Sequence, residues 1–126
     1  MSDTDPRVEL LRDAYDRFNG RDVESLLAYM TDDIEWPDVA QQTVLHGKEP
    51  IRAYWRAQFA ATDPRVTPVE FVPVGDEVVA VVEQQVLTHD GQILVPLTVV
   101  YHRYRFAGRL VRRMDVHTER EHALRA

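Results

Sequence analysis

Leu97-Thr98-Val99-Val100-Tyr101-His102-Arg103-Tyr104-Arg105-Phe106, then Ala107-Gly108, then Arg109-Leu110-Val111-Arg112-Arg113-Met114-Asp115-Val116-His117-Thr118: this stretch decides how the chain is read. Two runs rich in β-branched and aromatic residues flank a short turn containing glycine, the pattern of a β-hairpin. Side chains alternate faces along a strand, so each run carries two stripes. With Ala107-Gly108 as a two-residue loop, Phe106 faces Arg109, Tyr104 faces Val111, His102 faces Arg113, Val100 faces Asp115 and Thr98 faces His117. That register gathers His102, Arg113, Asp115 and His117 on one face among apolar residues and predicts that this face lines a cavity.

Upstream of the hairpin the chain is also strand. Val66 to Val74, interrupted by Pro68 and Pro73, reads as one, and Glu77 to Thr88 as a second, with turns at Gly75-Asp76 and His89-Asp90-Gly91. In the second, Val79, Val81, Glu83, Gln85 and Leu87 form the stripe expected to face inward. The first third is helical. Asp5-Pro6 is an N-cap followed by proline at the first helical position. Val8, Leu11, Tyr15 and Phe18 recur at helical spacing until Asn19-Gly20 stops the helix. Asp22 caps a short second helix with Val23, Leu26, Leu27 and Met30 on its apolar side. Ile34 to Asp38 reads as a short strand, Val39 to His46 as a loop, and Gly47-Lys48-Glu49-Pro50 opens a third helix carrying Ile51, Tyr54, Trp55 and Phe59. Helices followed by strands indicate an α+β domain. Here three helices pack on one face of a strongly curved, mainly antiparallel sheet, giving a cone with a central cavity. The tail from Glu119 to Ala126 alternates charges without an apolar stripe and is expected to be solvated or frayed.

At 126 residues the chain is one domain, residues 1–126, large enough for a core. A net charge of −6 argues against a nucleic-acid footprint. The absence of cysteine removes disulfides, a thiol nucleophile and thiolate metal sites. No apolar run reaches the ~20 residues of a membrane span. The acidic opening, Met-Ser-Asp-Thr-Asp-Pro, lacks a signal-peptide core, so a cytoplasmic protein is expected.

Four motifs spread along the chain carry a resemblance. They are Phe18-Asn19-Gly20-Arg21-Asp22, Tyr29-Met30-Thr31-Asp32-Asp33, His46-Gly47 before Ile51-Arg52-Ala53-Tyr54, and Tyr104-Arg105-Phe106 with Gly108-Arg109-Leu110-Val111. In order and spacing the chain resembles the nuclear transport factor 2-like superfamily, also called SnoaL-like. That superfamily includes ketosteroid isomerases, polyketide cyclases and limonene epoxide hydrolases. The resemblance implies the cystatin-like α+β barrel and a pocket for a small molecule. One fold hosts many reactions, so it does not fix the chemistry.

Residue by residue, similarity to the isomerases places Asp38 on their catalytic base and His102 on the protonated carboxyl that hydrogen-bonds an enolate oxygen. Their oxyanion tyrosine falls at Ala14, with Tyr15 beside it and about 100° around the helix. The polyketide cyclases imply a histidine and an aspartate on the last two strands, roles that His102 and Asp115 fit. The epoxide hydrolases imply an aspartate at Asp115, while Glu83 and Gln85 stand where their other partners would be.

From the residues alone, Asp38 after Trp36-Pro37 is either a base in an apolar setting or a surface carboxylate opening a turn. His102, mid-strand among valines and tyrosines, is either an acid–base group or a member of a self-satisfied polar ladder. Glu83 inside a core requires a partner, for which Arg113 is the candidate. Asp38, His102 and Asp115 are thus the catalytic candidates. Tyr15, Trp36, Trp55, Glu83, Gln85, Tyr104, Arg113 and His117 are the substrate-binding candidates. His102 and His117 stand too far apart along the strands to share an ion, so neither metal nor cofactor is expected. The expected activity is proton transfer on a small carbonyl-type molecule by an isomerase, cyclase or lyase. The alternatives are a non-catalytic binding module and an epoxide hydrolase-like enzyme. On the other sheet face Val78, Ala80, Val82, Val86, Val99, Tyr101, Leu110, Met114 and Val116 are left without a cover, which predicts a homodimer through that face.

Overall fold

Helix α1 (Pro6–Asn19) starts where the sequence says it should. The Asp5 carboxylate accepts a hydrogen bond from the Arg7 backbone N–H at 2.9 Å, and Pro6 fills the first turn. Its inward stripe is Val8, Leu11 and Tyr15. The computed structural model describes residues 5–125. At the end of α1 the left-handed residue is Arg21 (φ 63°), not Gly20 (φ −82°). The Arg21 guanidinium pairs with Asp63 and lies 4.6 Å from the Phe59 ring centre, which binds this corner to the third helix and the strand after it. Helix α2 (Val23–Ala28) is capped by Asp22 and buries Val23, Leu26 and Leu27. The chain then goes straight into strand β1 (Met30–Asp38), so Met30 belongs to the sheet rather than to the helix.

Strand β2 (Thr43–His46) occupies part of the segment expected to be loop and pairs antiparallel with the end of β1. Helix α3 (Lys48–Ala61) buries Ile51 and Trp55. Strands β3 (Asp63–Val74), β4 (Glu77–Leu87), β5 (Ile93–Ala107) and β6 (Leu110–His117) follow, and the sheet order is β2-β1-β6-β5-β4-β3. Every pairing is antiparallel except β1 with β6. The prolines of β3 are tolerated because β3 is an edge strand. The three helices lie on one face, and a single core of Leu11, Ile34, Ile51, Trp55, Val78, Val82, Val111 and their neighbours fills the space between. The α+β architecture expected from the element order is the one observed.

The last hairpin departs from the expected register in two steps. The turn is Gly108-Arg109, with Ala107 paired to Leu110 and Gly108 at φ 59°. This moves the pairing along the strand but leaves each side chain on its face. One extra residue then enters β6: Phe106 pairs with Val111, but Arg105 pairs with Arg113. This bulge around Arg112 flips the rest of β6. His102 therefore sits opposite Val116 and Tyr104 opposite Met114, while Arg113, Asp115 and His117 lie opposite Arg105, Arg103 and Tyr101 on the outer face.

Strand β4 is also turned over relative to the expectation. Val78, Ala80 and Val82 pack in the core, and Val79, Val81 and Glu83 face out, paired with Arg103, Tyr101 and Val99. Residues Val78 to Val82 are apolar without interruption and buried on both faces, so alternation carries no phase there. The outer face has a cover after all. The tail forms a short helix α4 (Arg120–Ala123), with Ala123 fully buried, and Arg103 donates to the Ala123 carbonyl at 2.9 Å. Arg120 pairs with Glu70 of β3 at 3.1 Å. The stripe proposed for a dimer is thus split, because Val78, Ala80, Val82, Met114 and Val116 belong to the core side.

Candidate functional site

The helical spacing that buries Val8 and Leu11 carries Tyr15 onto the same face of α1, aimed at the middle of the sheet. There its hydroxyl meets two groups from β5: His102 Nδ1 at 2.8 Å and the Tyr104 hydroxyl at 2.7 Å. All three side chains are buried, with His102 8% exposed and each tyrosine 5%. The residue that meets His102 from α1 is Tyr15, not Ala14, the position on which the family resemblance placed the oxyanion tyrosine. The signal was present in the sequence, since Tyr15 continues the Val8–Leu11 stripe, with Ala14 at its partly buried edge.

Two hydrogen bonds among these three groups leave one proton over. If Tyr104 donates to Tyr15 and Tyr15 to Nδ1, the free donor is His102 Nε2–H; in the reverse sense it is the Tyr104 hydroxyl. Burial pushes His102 from the usual 6.5 down to about 4, so the ring is neutral at ordinary pH. Burial also raises both tyrosines, Tyr15 well above its normal value, so neither is a phenolate. The group is an uncharged hydrogen-bond chain with a spare donor at one end.

Aromatic side chains surround it. Tyr15 stacks on His102 with ring centres 6.0 Å apart, and Phe71 from β3 lies 6.4 Å from Tyr15. Trp36 stands 6.5 Å from Tyr104 and 5.2 Å from Trp55, the latter edge to face. Trp36 and Phe71 are half-buried and Trp55 is buried. The interior expected to be hollow is closely filled at His102. Two concavities lie elsewhere, at the α1–α2 corner. One of about 360 Å³ is lined by Arg21, Asp22, Val23, Glu24, Arg56 and Phe59, and another of about 440 Å³ by Asn19, Arg21, Asp63, Arg65 and Thr67.

Asp38 sits two residues beyond Trp36 on the same side of β1, near the phenol of Tyr54, whose ionisation is opposed by burial and by the Asp38 charge. One Asp38 oxygen also accepts from the Gln41 backbone N–H at 3.2 Å, so it does open a turn, as the plainer reading had it. It is half-buried and at the rim.

The remaining candidates separate from this site. Arg113 and Asp115 form a forked ion pair on the outer face (2.9–3.1 Å), and the third Arg113 nitrogen reaches Glu35 at 3.0 Å. His46 Nδ1 lies 3.4 Å from the other oxygen of Glu35. His117 pairs with Tyr101 on the same outer face, and Glu83 shares that face opposite Val99. Gln85 next to it pairs with Arg65 on β3, a row away from the buried histidine. The expectation that Asp38, Glu83, His102, Arg113 and Asp115 share one pocket is corrected. The bulge at Arg112 carries Arg113, Asp115 and His117 outward, and the reversed phase of β4 does the same to Glu83. Glu83 has no ion pair to Arg113, whose guanidinium is raised further by Asp115 and Glu35. Among the described residues no group of three or more His, Asp or Glu side chains is placed to hold a metal ion, and no helix is long and apolar enough to cross a membrane.

Solved structures share this architecture. TerC co-crystallised with polyporic acid superposes with a TM-score of 0.78 at 22% identity, covering 91% of this chain and 92% of that one. A Mycobacterium tuberculosis protein in complex with estradiol-17β-hemisuccinate gives 0.78 at 20%, covering 94% and 97%. A cystatin-fold protein from Novosphingobium aromaticivorans gives 0.76 at 25%, covering 88% and 97%. Likeness at this level is likeness of fold. No curated relative matches the sequence. The family of SnoaL-like domains matches residues 11–114, from the inward leucine of α1 to the buried methionine of β6, and the chain belongs to that family.

Proposed function

We propose that this protein is a cofactor-free enzyme that moves a proton on a small, mostly apolar molecule carrying a carbonyl, in the manner of an isomerase, cyclase or lyase. The observation that carries the reading is the buried Tyr15–His102–Tyr104 chain. A neutral donor in an apolar surround is suited to a developing oxyanion. It gains most as charge appears, and no counter-charge need be desolvated beforehand. Asp38 at the rim takes the proton from the carbon beside the carbonyl, the enolate oxygen accepts the spare proton of the chain as a hydrogen bond, and the proton returns from Asp38 to complete the turnover. His102 acts as a neutral donor, not as an acid that titrates. Trp36, Trp55 and Tyr104 form the wall. The ring compounds named with two fold relatives, polyporic acid and the estradiol ester, suit an aromatic-lined site. Asp115, on the outer face, has no part in this scheme, and with it the epoxide hydrolase-like alternative loses the aspartate it requires.

The test is a screen of small enones, ketones and hydroxylated aromatic rings, followed by His102→Ala, Tyr15→Phe and Asp38→Asn on any hit. Loss of turnover in all three supports the reading; full activity in all three overturns it.

A second reading is favoured by the filled interior and by the absence, among the described residues, of a carboxylate in contact with His102. On this reading the same group binds a ligand without turning it over. Tight binding abolished by His102→Ala, with no product formed, supports it.

The working unit is proposed to be a homodimer in the cytoplasm. The support for the dimer is the run Ile93, Leu94, Val95, Leu97 and Val99, whose side chains are 40–63% exposed. Residues this apolar in a row mark a contact surface. The α4 cover shifts the interface from the centre of the outer face to this end of the sheet.

A further inference from the structure

Two half-buried aromatic side chains, Phe71 and Trp36, lie against the Tyr15–His102–Tyr104 group, and they are held differently. Phe71 is pinned from outside by the Arg12 guanidinium, 5.2 Å from its ring centre. Trp36 has no cation over it among the described residues. It touches Trp55 edge to face and stands beside Tyr104, and it is only half-buried. It is also the side chain between the rim carboxylate and the buried hydroxyls, two residues from Asp38 on one strand face and one ring away from Tyr104. We propose that Trp36 is the gate of the site: its indole closes the approach to His102, and a flat, uncharged ring compound enters by displacing it and stacking on Trp55 and Tyr104 in its place. This rests on the reading of the buried group as the functional site, and it names the residue that sets which sizes of ligand reach it.

The physical basis is a difference in what opening breaks. Moving Trp36 aside gives up edge-to-face aromatic contacts that an incoming aromatic ring restores. Moving Phe71 gives up a cation–π contact that a neutral ligand cannot replace. The rings next to the buried group are uncharged, with Asp38 on the Trp36 side and Arg12 over Phe71 as the nearby charges, so the opening beside Trp36 favours a flat, neutral ring.

The experiment reads access to His102 and needs no catalysis, so it separates failure of the gate from failure of the enzymatic reading. The full-length protein is treated with diethyl pyrocarbonate, and carbethoxylation of each histidine is followed by peptide mass mapping, with exposed His46 and His89 as internal references. In the wild type His102 reacts slowly. Trp36→Leu is expected to speed its modification roughly tenfold, which corresponds to the loss of ~1.4 kcal/mol of contacts holding the indole in place. Phe71→Leu and Trp55→Phe are expected to leave the rate within about twofold of wild type. Trp36→Phe, which keeps an aromatic ring and guards against misfolding of the leucine variant, is expected to fall between. Acceleration by Phe71→Leu or Trp55→Phe equal to that by Trp36→Leu would mean general loosening and overturn the proposal. So would no acceleration in either Trp36 variant.

Discussion

His102 is the residue on which most of the chemistry turns, and its environment fixes its behaviour with pH. Burial lowers it to about 4 in the folded chain against 6.5 when free. The unfolded chain therefore binds a proton at pH values where the folded chain does not. The stability due to this neutral histidine is full above pH 6.5 and is lost as pH falls toward 4, amounting to about 3 kcal/mol across the window. Urea unfolding at pH 7 and pH 4.5 should show a steeper loss in the wild type than in His102→Gln; equal losses would show that the ring is solvated. The catalytic pH profile should carry no histidine step between pH 5 and 9. Removing the donor should lower kcat about 10²–10³-fold, with a smaller effect on ligand binding, as should Tyr15→Phe if the chain acts as a unit. His102 and Tyr104 were legible as candidates because a histidine and a tyrosine two apart on a β-branched strand must share a face. Phe71 and Tyr54 were less so. Phe71 lies between Pro68 and Pro73, and the shift in pairing with β4 between Pro68 and Glu70 hides its stripe.

At the level of the element, β6 shows what one residue decides. Its local sequence, Val111-Arg112-Arg113-Met114-Asp115-Val116, fits either face, and only the extra residue around Arg112 puts Met114 and Val116 inside. Nothing in composition announces a bulge, because it forms where the core gains more from burying Met114 and Val116 than the ladder loses in a broken pair. The structure makes a strong prediction here. Deleting Arg112 would restore a regular ladder with the observed partners, Phe106 with Val111 and Arg105 with Arg113, and would leave Met114 and Val116 inside and Arg113 and Asp115 outside. The deletion variant should therefore fold with the wild-type faces and melt within a few degrees of the wild type, as circular dichroism on heating would show; failure to fold would mean that the bulge itself is required. Replacing Arg112 with Ala, which keeps the residue count, should change stability by less than about 0.5 kcal/mol. The turn gives a smaller effect. Gly108 at φ 59° has open space around it, so Gly108→Ala should destabilise through backbone strain alone, by about 1 kcal/mol. The helices were legible to within a residue or two because caps and apolar spacing agree. The strands were legible as strands, but their phase was not wherever both faces are apolar, as from Val78 to Val82.

For the whole molecule, the tail matters more than its charged composition suggests. Helix α4 lies on the outer face with Ala123 buried and Arg103 bound to its carbonyl, so this face is closed by the chain itself where a bare sheet was expected. The exposed apolar run of β5 remains. Leu97→Glu and Val99→Glu should convert the proposed dimer to a monomer by light scattering at micromolar concentration, without loss of helix or strand signal. An unchanged mass, or a wild type that is already monomeric, would refute the dimer. One further consequence lies in the sheet order. The strand that the chain makes first, β1, finds its parallel partner only in β6, the strand it makes last: Met30 pairs with Val111 and Glu35 with Arg113. A nascent chain therefore cannot close its sheet until β6 has left the ribosome, and until then β1 and the apolar strands after it wait with an unsatisfied edge. Synthesis of this protein thus contains an interval of exposure, which ends when β6 emerges.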